Sequence, residues 1–308
     1  MDKQIFIHDV VARDGLQIEP QWVPTAQKIE LIDLLSATGV AKIEATSFVS
    51  PKAVPNLRDA EAVMAGIERN PDVSYVALVP NARGAERALA ADVDEMVLVV
   101  SVSETHNRAN VRRTVAQSFA GFSEVFDVAR GSGKAITGAL ATSFGCPFEG
   151  VIPERQVIDG VARYVDLGVA GVTLADTTGM ANPRQVEALV RRVRERWPEL
   201  ELALHFHNTR GMGLANVLAG LSAGVVRYEG TLGGLGGCPF APGATGNICT
   251  EDLVHMLHGM GYATGVDLDL LLAASRRLGE IVGHDLPGQV VKAGKSTDLH
   301  PPPPELAH

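Results

Sequence analysis

Two histidines separated by one residue, His205 and His207, stand in an apolar run of the sequence that predicts a β-strand. Alternate side chains of a strand point to the same face, so both imidazoles project to one side while Leu204 and Phe206 project to the other. Two convergent imidazoles combined with carboxylate and amide oxygens form a site that suits Mg²⁺, Mn²⁺ or another divalent ion. Two histidines satisfied by ordinary hydrogen bonds are the alternative interpretation.

Candidate oxygen ligands are Asp14 and Asn247, which both lie just beyond predicted strand ends. Asp14 could instead hold a turn before Gly15. Glu44 interrupts an otherwise apolar strand, and a buried carboxylate needs a partner. Arg13 is the candidate partner, with a purely structural ion pair as the competing interpretation.

A glycine-rich segment, Gly233–Gly237, precedes Cys238 and a proline. The segment lacks the Lys-Ser or Lys-Thr ending of a phosphate-binding loop, so it is a weak nucleotide signal. A flexible loop that presents Cys238 in an exposed, non-helical position is the favoured interpretation, against a buried bystander. Cys146 has a similar setting between glycine and proline but is the weaker candidate.

These residues need a scaffold, and eight β-branched-rich runs alternate with helical patterns along the chain. The predicted strands are Ile5–Val10, Val40–Phe48, Ser74–Pro80, Glu95–Ser103, Ala135–Phe144, Val169–Thr177, Leu202–Asn208 and Val225–Leu232. Helical periodicity is clearest over Thr25–Thr38, Val111–Arg130 and Pro183–Trp197.

Near-continuous apolar strands separated by amphipathic helices predict a parallel sheet covered on its outer face, and eight such units suit a closed (β/α)₈ TIM barrel. An open, doubly wound sheet is the alternative. Two further helices are predicted at Thr250–Met260 and Asp267–Val282. Residues 1–285 are therefore expected to form one catalytic barrel domain with C-terminal helices, and residues 286–308 a mobile proline-rich tail.

The composition excludes several function classes. Twenty-seven basic and 36 acidic residues give a net charge of −9 without a basic face, so no nucleic-acid partner is expected. No apolar run reaches the ~18 residues that cross a bilayer, and the N-terminus does not resemble a signal peptide. Three cysteines are too few for a disulfide scaffold. A cytoplasmic enzyme without a membrane partner is expected.

Motifs between positions 13 and 254 together resemble the hydroxymethylglutaryl-CoA lyase family. They are Arg13-Asp14-Gly15-Leu16-Gln17, Glu44-Ala45-Thr46-Ser47-Phe48-Val49-Ser50-Pro51-Lys52, Gly145-Cys146-Pro147-Phe148-Glu149-Gly150, Asp176-Thr177, His205-Phe206-His207-Asn208, Gly234-Leu235-Gly236-Gly237-Cys238-Pro239-Phe240, Gly243-Ala244-Thr245-Gly246-Asn247 and Thr250-Glu251-Asp252-Leu253-Val254. The matches cover most of the chain.

The resemblance implies a role for each matching position. The implied ligands of Mg²⁺ or Mn²⁺ are Asp14, His205, His207 and Asn247. The implied catalytic residues are Arg13, which polarises the thioester carbonyl, Glu44, which supports it, and Asp176, His205, Cys238 and Gln17. Arg108 and Asn110 match contacts to the CoA part of the substrate, although Ala109 stands where the family commonly has lysine.

The implied reaction is a retro-Claisen cleavage of 3-hydroxy-3-methylglutaryl-CoA, carried out by a homodimer within leucine catabolism and ketone-body metabolism. The same chemistry on citramalyl-CoA or a longer-branched 3-hydroxyacyl-CoA is an alternative. A condensing transferase like 2-isopropylmalate or homocitrate synthase is another, which the Cys238 loop disfavours. A non-enzymatic metal-binding scaffold would require every convergent polar group to be incidental.

Overall fold

Eight parallel strands close into a barrel in the computed structural model, which describes residues 4–237 and 246–301. Each strand pairs with the next along the chain, and the first pairs with the last. The strands are β1 (Phe6–Asp9), β2 (Lys42–Ser47), β3 (Ser74–Leu78), β4 (Glu95–Ser101), β5 (Ala135–Ala141), β6 (Gly171–Asp176), β7 (Glu201–Phe206) and β8 (Arg227–Gly230). The predicted barrel is confirmed, and the open doubly wound sheet is wrong.

Helices follow the strands and cover the outside of the barrel. They are α1 (Thr25–Ser36), α2 (Ala60–Gly66), α3 (Ala82–Ala90), α4 (Glu104–Val111), α5 (Val115–Ala129), α6 (Glu154–Leu167), α7 (Pro183–Arg196), α8 (Gly213–Ser222), α9 (Thr250–Gly259), α10 (Leu268–Val282) and α11 (Val290–Ala293). A π-helical turn, Val11–Gly15, follows β1, and single 3₁₀ turns form at Pro55–Leu57 and Leu232–Gly234. Across the described ranges, none of these helices combines the length and apolarity required to cross a membrane.

Side-chain caps fix where several helices begin. Asn182 accepts a hydrogen bond from the backbone of Gln185 at the start of α7, as expected for asparagine before an amphipathic run. The helix predicted to start at Val111 is wrong by four residues, because Thr114 and Gln117 form a capping box that starts α5 at Val115. The chain turns between α4 and α5 through Arg112, whose φ is +57°.

The interior of the barrel is polar at its centre. In most barrels of this type, branched aliphatic side chains fill that space. Here Lys42 and Glu95 form an ion pair at 2.6 Å, and Thr137 donates a hydrogen bond to Glu95. These groups and Glu229 line a cavity of about 50 Å³. Valines such as Val97 and Val172 line the same cavity, so the barrel interior combines polar groups with aliphatic side chains.

The chain beyond β8 packs back onto the barrel. Helices α9 and α10 are the predicted C-terminal helices, and Arg277 of α10 forms an ion pair with Glu30 of α1 at 2.6 Å. Leu286 is buried, and the backbone of Gly288 donates a hydrogen bond to Gly233. The domain boundary after residue 285 and the mobility of residues 286–308 stay predictions.

Gly138 of β5 offers a test of how the helical layer fits the barrel. A Cβ at this position would lie 2.6 Å from the ring of Tyr164. That ring is buried, stacks on Phe122, and its hydroxyl donates to Leu98 at 2.6 Å, so it cannot move aside cheaply. We expect Gly138→Ala to lower the free energy of unfolding by about 1–3 kcal/mol, measured as a shift of the urea midpoint.

Gly259 at the end of α9 is the matched control, because a Cβ there meets no atom within 4 Å among the described residues. Gly259→Ala should leave the free energy of unfolding within about 0.5 kcal/mol of the parent value. A Gly138→Ala protein as stable as the Gly259→Ala protein would contradict the close packing of Tyr164 on β5.

Candidate metal centre and active site

Asp14, His205 and His207 converge at the carboxyl end of the barrel. One ligand atom from each of the three side chains lies within 4.8 Å of the other two. The two histidines come from the end of β7 and its first following residue, whereas Asp14 is carried inward by the π-helical turn after β1. Neighbouring strand ends of a parallel barrel meet at one rim, which is why residues 191 positions apart in sequence share one site.

Asp14 is held in its charged form by its neighbours. Its Oδ1 accepts a hydrogen bond from Arg13 at 2.5 Å, and its Oδ2 accepts one from the Asn247 amide at 2.8 Å. Burial alone would raise the pKa of Asp14, but Arg13 and the two histidines hold that pKa at about 2. Asp14 therefore presents a carboxylate at neutral pH.

Asn247 reaches the site because its segment pairs with the end of β7. The backbone of Asn208 donates to Gly246, that of Ile248 donates to Phe206, and Asn247 forms a bridge with His207. The Asn247 amide nitrogen donates to Asp14 and to the Leu235 carbonyl. This orientation leaves the side-chain oxygen as the group that can bind a ligand.

Among the candidate metal ligands, two buried atoms have no hydrogen-bond partner within residues 4–237 and 246–301, namely Asn247 Oδ1 and His207 Nδ1. A buried polar atom without a partner is costly, and it is commonly satisfied by water or an ion. Burial lowers the pKa of His207 to about 3, so its ring is neutral and can donate a lone pair. The carboxylate, imidazole and amide groups present therefore fit a divalent cation.

Arg13 connects the metal ligands to β2. Its Nε and Nη2 both lie 2.7 Å from Glu44 Oε2, while its Nη1 contacts Asp14. Burial raises the pKa of Glu44 to about 7, against the opposing effect of Arg13. The predicted pairing of Arg13 with Glu44 is thus present. These contacts occupy three of the five N–H donors of the guanidinium, and two stay available.

Asp176 ends β6 beside the histidines. Its Oδ1 accepts hydrogen bonds from the backbone of Met180 and Ala181, while its buried Oδ2 has no partner in the part of the chain that is described. Burial raises the pKa of Asp176 to about 6.

Gln17 lies three residues after Asp14 and is partly exposed. Its backbone carbonyl accepts a hydrogen bond from the Asn56 side chain.

Glu229 belongs to the site, and sequence reasoning missed it. One of its carboxylate oxygens lies 3.0 Å from His205 Nδ1, and the other accepts a hydrogen bond from Thr173 at 2.8 Å. Burial acts to lower the pKa of His205, but Glu229 raises it overall. The usable signal was the inward-facing position of Glu229 on β8, directly beside His205 on β7.

The other residues that the sequence analysis singled out do not belong to the metal cluster as it is described. Cys238 lies outside the described residues. Cys146 is buried against Ser103, with 3.0 Å between Sγ and Oγ, as expected for the weaker candidate. Arg108 and Asn110 are exposed on α4, and Arg108 forms an ion pair with Glu104 at 2.9 Å. These two residues lie after β4 and are not part of the metal cluster.

Comparison with known proteins agrees with this geometry. The model of the HMGL-like family matches residues 4–278. A hydroxymethylglutaryl-CoA lyase of Bacillus subtilis is 44% identical over 96% of this chain and 99% of its own length. An (R)-citramalyl-CoA lyase of Chloroflexus aurantiacus is 43% identical over 94% and 95% of the two chains.

Among solved structures, an HMG-CoA lyase from Acinetobacter baumannii in complex with coenzyme A and 3-methylmalate superposes with a TM-score of 0.94. It is 56% identical in sequence, and the alignment covers 97% of this chain and 98% of that one. With the family model matched over most of its length and relatives of this identity, the chain belongs to the HMGL-like family.

Proposed function

We propose that this protein is a metal-dependent carbon–carbon lyase that cleaves 3-hydroxy-3-methylglutaryl-CoA to acetyl-CoA and acetoacetate. The observation that carries the proposal is the convergence of Asp14, His205 and His207 on one point with Arg13 bonded directly to Asp14. Relatives named for this lyase activity support it.

Asp14, His205, His207 and Asn247 are the proposed ligands of a divalent cation, with Mg²⁺ or Mn²⁺ favoured by the mixed nitrogen and oxygen donors. When bound, the ion supplies Lewis-acid polarisation of a substrate oxygen. A bound ion would also give a partner to the unpartnered Asn247 oxygen and His207 nitrogen.

Cleavage requires the substrate 3-hydroxyl to lose its proton. The oxygen then forms a ketone as the C2–C3 bond breaks, and the bonding electrons pass into the thioester as an enolate. Arg13 is the proposed stabiliser of that enolate, because Glu44 and Asp14 fix its guanidinium and leave two N–H donors available. Protonation of the enolate at C2 completes acetyl-CoA.

The side chains around the proposed metal site are our candidates for transferring protons to and from the substrate. Asp176 has a free buried oxygen and a raised pKa, which suits a group that exchanges a proton near neutral pH. His205 and Cys238 are further candidates for a relay, and Gln17 is a candidate for substrate binding.

Arg108 and Asn110 are proposed to contact the CoA part of the substrate. Arg108 also forms an ion pair with Glu104, which offsets part of the positive charge that Arg108 can offer to CoA.

Citramalyl-CoA is the second candidate substrate, since the Chloroflexus relative is nearly as similar as the Bacillus one. Incubating the protein with each thioester and Mg²⁺, and following acetyl-CoA release, separates the two. Preferred cleavage of 3-hydroxy-3-methylglutaryl-CoA supports the first proposal. Absence of cleavage of both thioesters, with metal bound, would overturn the proposed lyase activity.

We further propose that the active form of the protein is a homodimer in the cytoplasm.

Removal of the Asp14 charge tests the metal site. We expect Asp14→Asn to weaken Mn²⁺ binding by at least about 10-fold, because a carboxylate ligand is replaced by a neutral amide. Titration calorimetry on the full chain measures this. The control is Asp166→Asn, which removes the same charge from an exposed position on α6. Equal Mn²⁺ affinity in the two variants would refute Asp14 as a ligand, and full activity in chelator-treated protein would refute the metal requirement.

Arg13→Lys tests the enolate role. A lysine ammonium cannot reproduce the planar donors that bind Glu44 and Asp14 and still face the thioester. We expect kcat to fall by roughly 10²-fold or more, with KM and bound metal nearly unchanged, because the lost interaction belongs to the transition state. Steady-state kinetics and metal analysis on the folded variant measure both. An undiminished kcat, or a loss explained by missing metal, would contradict the assignment.

A further inference from the structure

Glu229 is a partly buried carboxylate that contacts a proposed metal ligand but belongs to none of the sequence motifs described above. We infer that Glu229 is the positioning residue of the metal centre: it fixes the tautomer and the ring orientation of His205, so that His205 offers Nε2 to the cation. The inference rests on the proposed metal site. It adds a residue that acts through His205 rather than on the substrate.

The contact between the two side chains determines the tautomer. A neutral imidazole carries one N–H donor and one lone pair, and an ionised carboxylate accepts hydrogen bonds but cannot donate them. With Glu229 Oε2 at 3.0 Å from His205 Nδ1, the hydrogen lies on Nδ1. The lone pair is then on Nε2, which is the arrangement found where a carboxylate supports a metal-binding histidine.

The backbone sets this contact in advance. His205 and Glu229 are direct partners in the parallel pairing of β7 and β8, so their side chains emerge side by side into the barrel. Thr173 of β6 donates to the second Glu229 oxygen at 2.8 Å, so both carboxylate oxygens have a hydrogen-bond partner. Three consecutive strands therefore orient one imidazole.

The surroundings of Glu229 make these two hydrogen bonds decisive. Glu229 lines the cavity of about 50 Å³ inside the barrel together with polar side chains and valines such as Val97 and Val99. A cavity of this size holds a few water molecules, each of which needs roughly 10–15 Å³. Because the carboxylate borders this cavity, packing does not enclose it on all sides, and its side-chain hydrogen bonds with His205 and Thr173 orient it.

The test uses a graded pair of variants. Glu229→Gln keeps an oxygen that can accept from His205 Nδ1 but removes the charge, whereas Glu229→Leu removes both. The matched control is Glu201→Gln, because Glu201 lines the same cavity and pairs with Arg227 without a described contact to His205. Mn²⁺ affinity is measured by calorimetry on the full chain, and the tautomer of His205 by long-range ¹H–¹⁵N NMR on the metal-free protein, at a pH high enough for the ring to be neutral.

We expect Glu229→Leu to lose about 10–100-fold in Mn²⁺ affinity and to shift His205 away from the Nδ1–H form. Glu229→Gln should keep the Nδ1–H form and lose less affinity, and Glu201→Gln should match the parent protein in both readings. The inference would be overturned if Glu229→Gln and any folded Glu229→Leu protein bound Mn²⁺ as tightly as the parent protein. It would also be overturned if His205 of the parent protein carried its hydrogen on Nε2.

The design separates this inference from the proposed function. The tautomer is read without metal or substrate, so an inactive parent protein, or one that binds no Mn²⁺, would refute the proposed function while the NMR result still decides the role of Glu229. If Glu229→Leu does not fold, the affinity of Glu229→Gln relative to Glu201→Gln decides it. A general effect of removing a charge would lower the unfolding midpoints of Glu229→Gln and Glu201→Gln alike without changing the His205 tautomer.

Discussion

Arg13 lies between Asp14 and Glu44 and bonds to both, at 2.5 and 2.7 Å. Two carboxylates brought together in a buried site would repel each other and take up protons unless a cation lay between them. The guanidinium keeps Asp14 charged while Glu44, at a pKa of about 7, stays close to the point of protonation. The charge available to a cation depends on this arrangement, and the charged Asp14 also accepts the hydrogen bond that orients the Asn247 amide.

The barrel interior also pairs its charged groups. Lys42 forms an ion pair with Glu95, and Glu229 accepts a hydrogen bond from Thr173. His8, between these pairs, has its pKa lowered to about 3 by burial and by Lys42, so it adds no charge. Small residues at Ala139 and Ala203 leave the central cavity open where larger side chains would fill it. A close-packed aliphatic core would be more usual, but it could not orient His205.

Much of this could be predicted from the sequence, for a physical reason. Strand positions follow from local apolar runs, and the rim location of Asp14 and His205 follows from the parallel topology. Glu229 was missed because its partner is 24 residues away and its strand, Arg227–Gly230, mixes polar and apolar types, so no local pattern marks it. The start of α5 was missed because the capping box at Thr114 outweighed the apolar periodicity that begins at Val111. Glu44 was identifiable because a carboxylate inside an apolar strand has few explanations.

Reaction type and substrate differ in how firmly the fold determines them. The groups proposed to hold the cation and to stabilise the enolate lie on strand ends or on segments bonded to them, as Asn247 is to β7. Side chains fixed by a barrel's backbone pairing tolerate little change, so relatives with different acyl groups can share them. The acyl group is selected instead by loops above the rim, where single side chains change without cost to the barrel. Near-equal similarity to a hydroxymethylglutaryl-CoA lyase and to a citramalyl-CoA lyase fits this architecture, and we expect discrimination between the two thioesters to arise in the loops rather than at the proposed cation site.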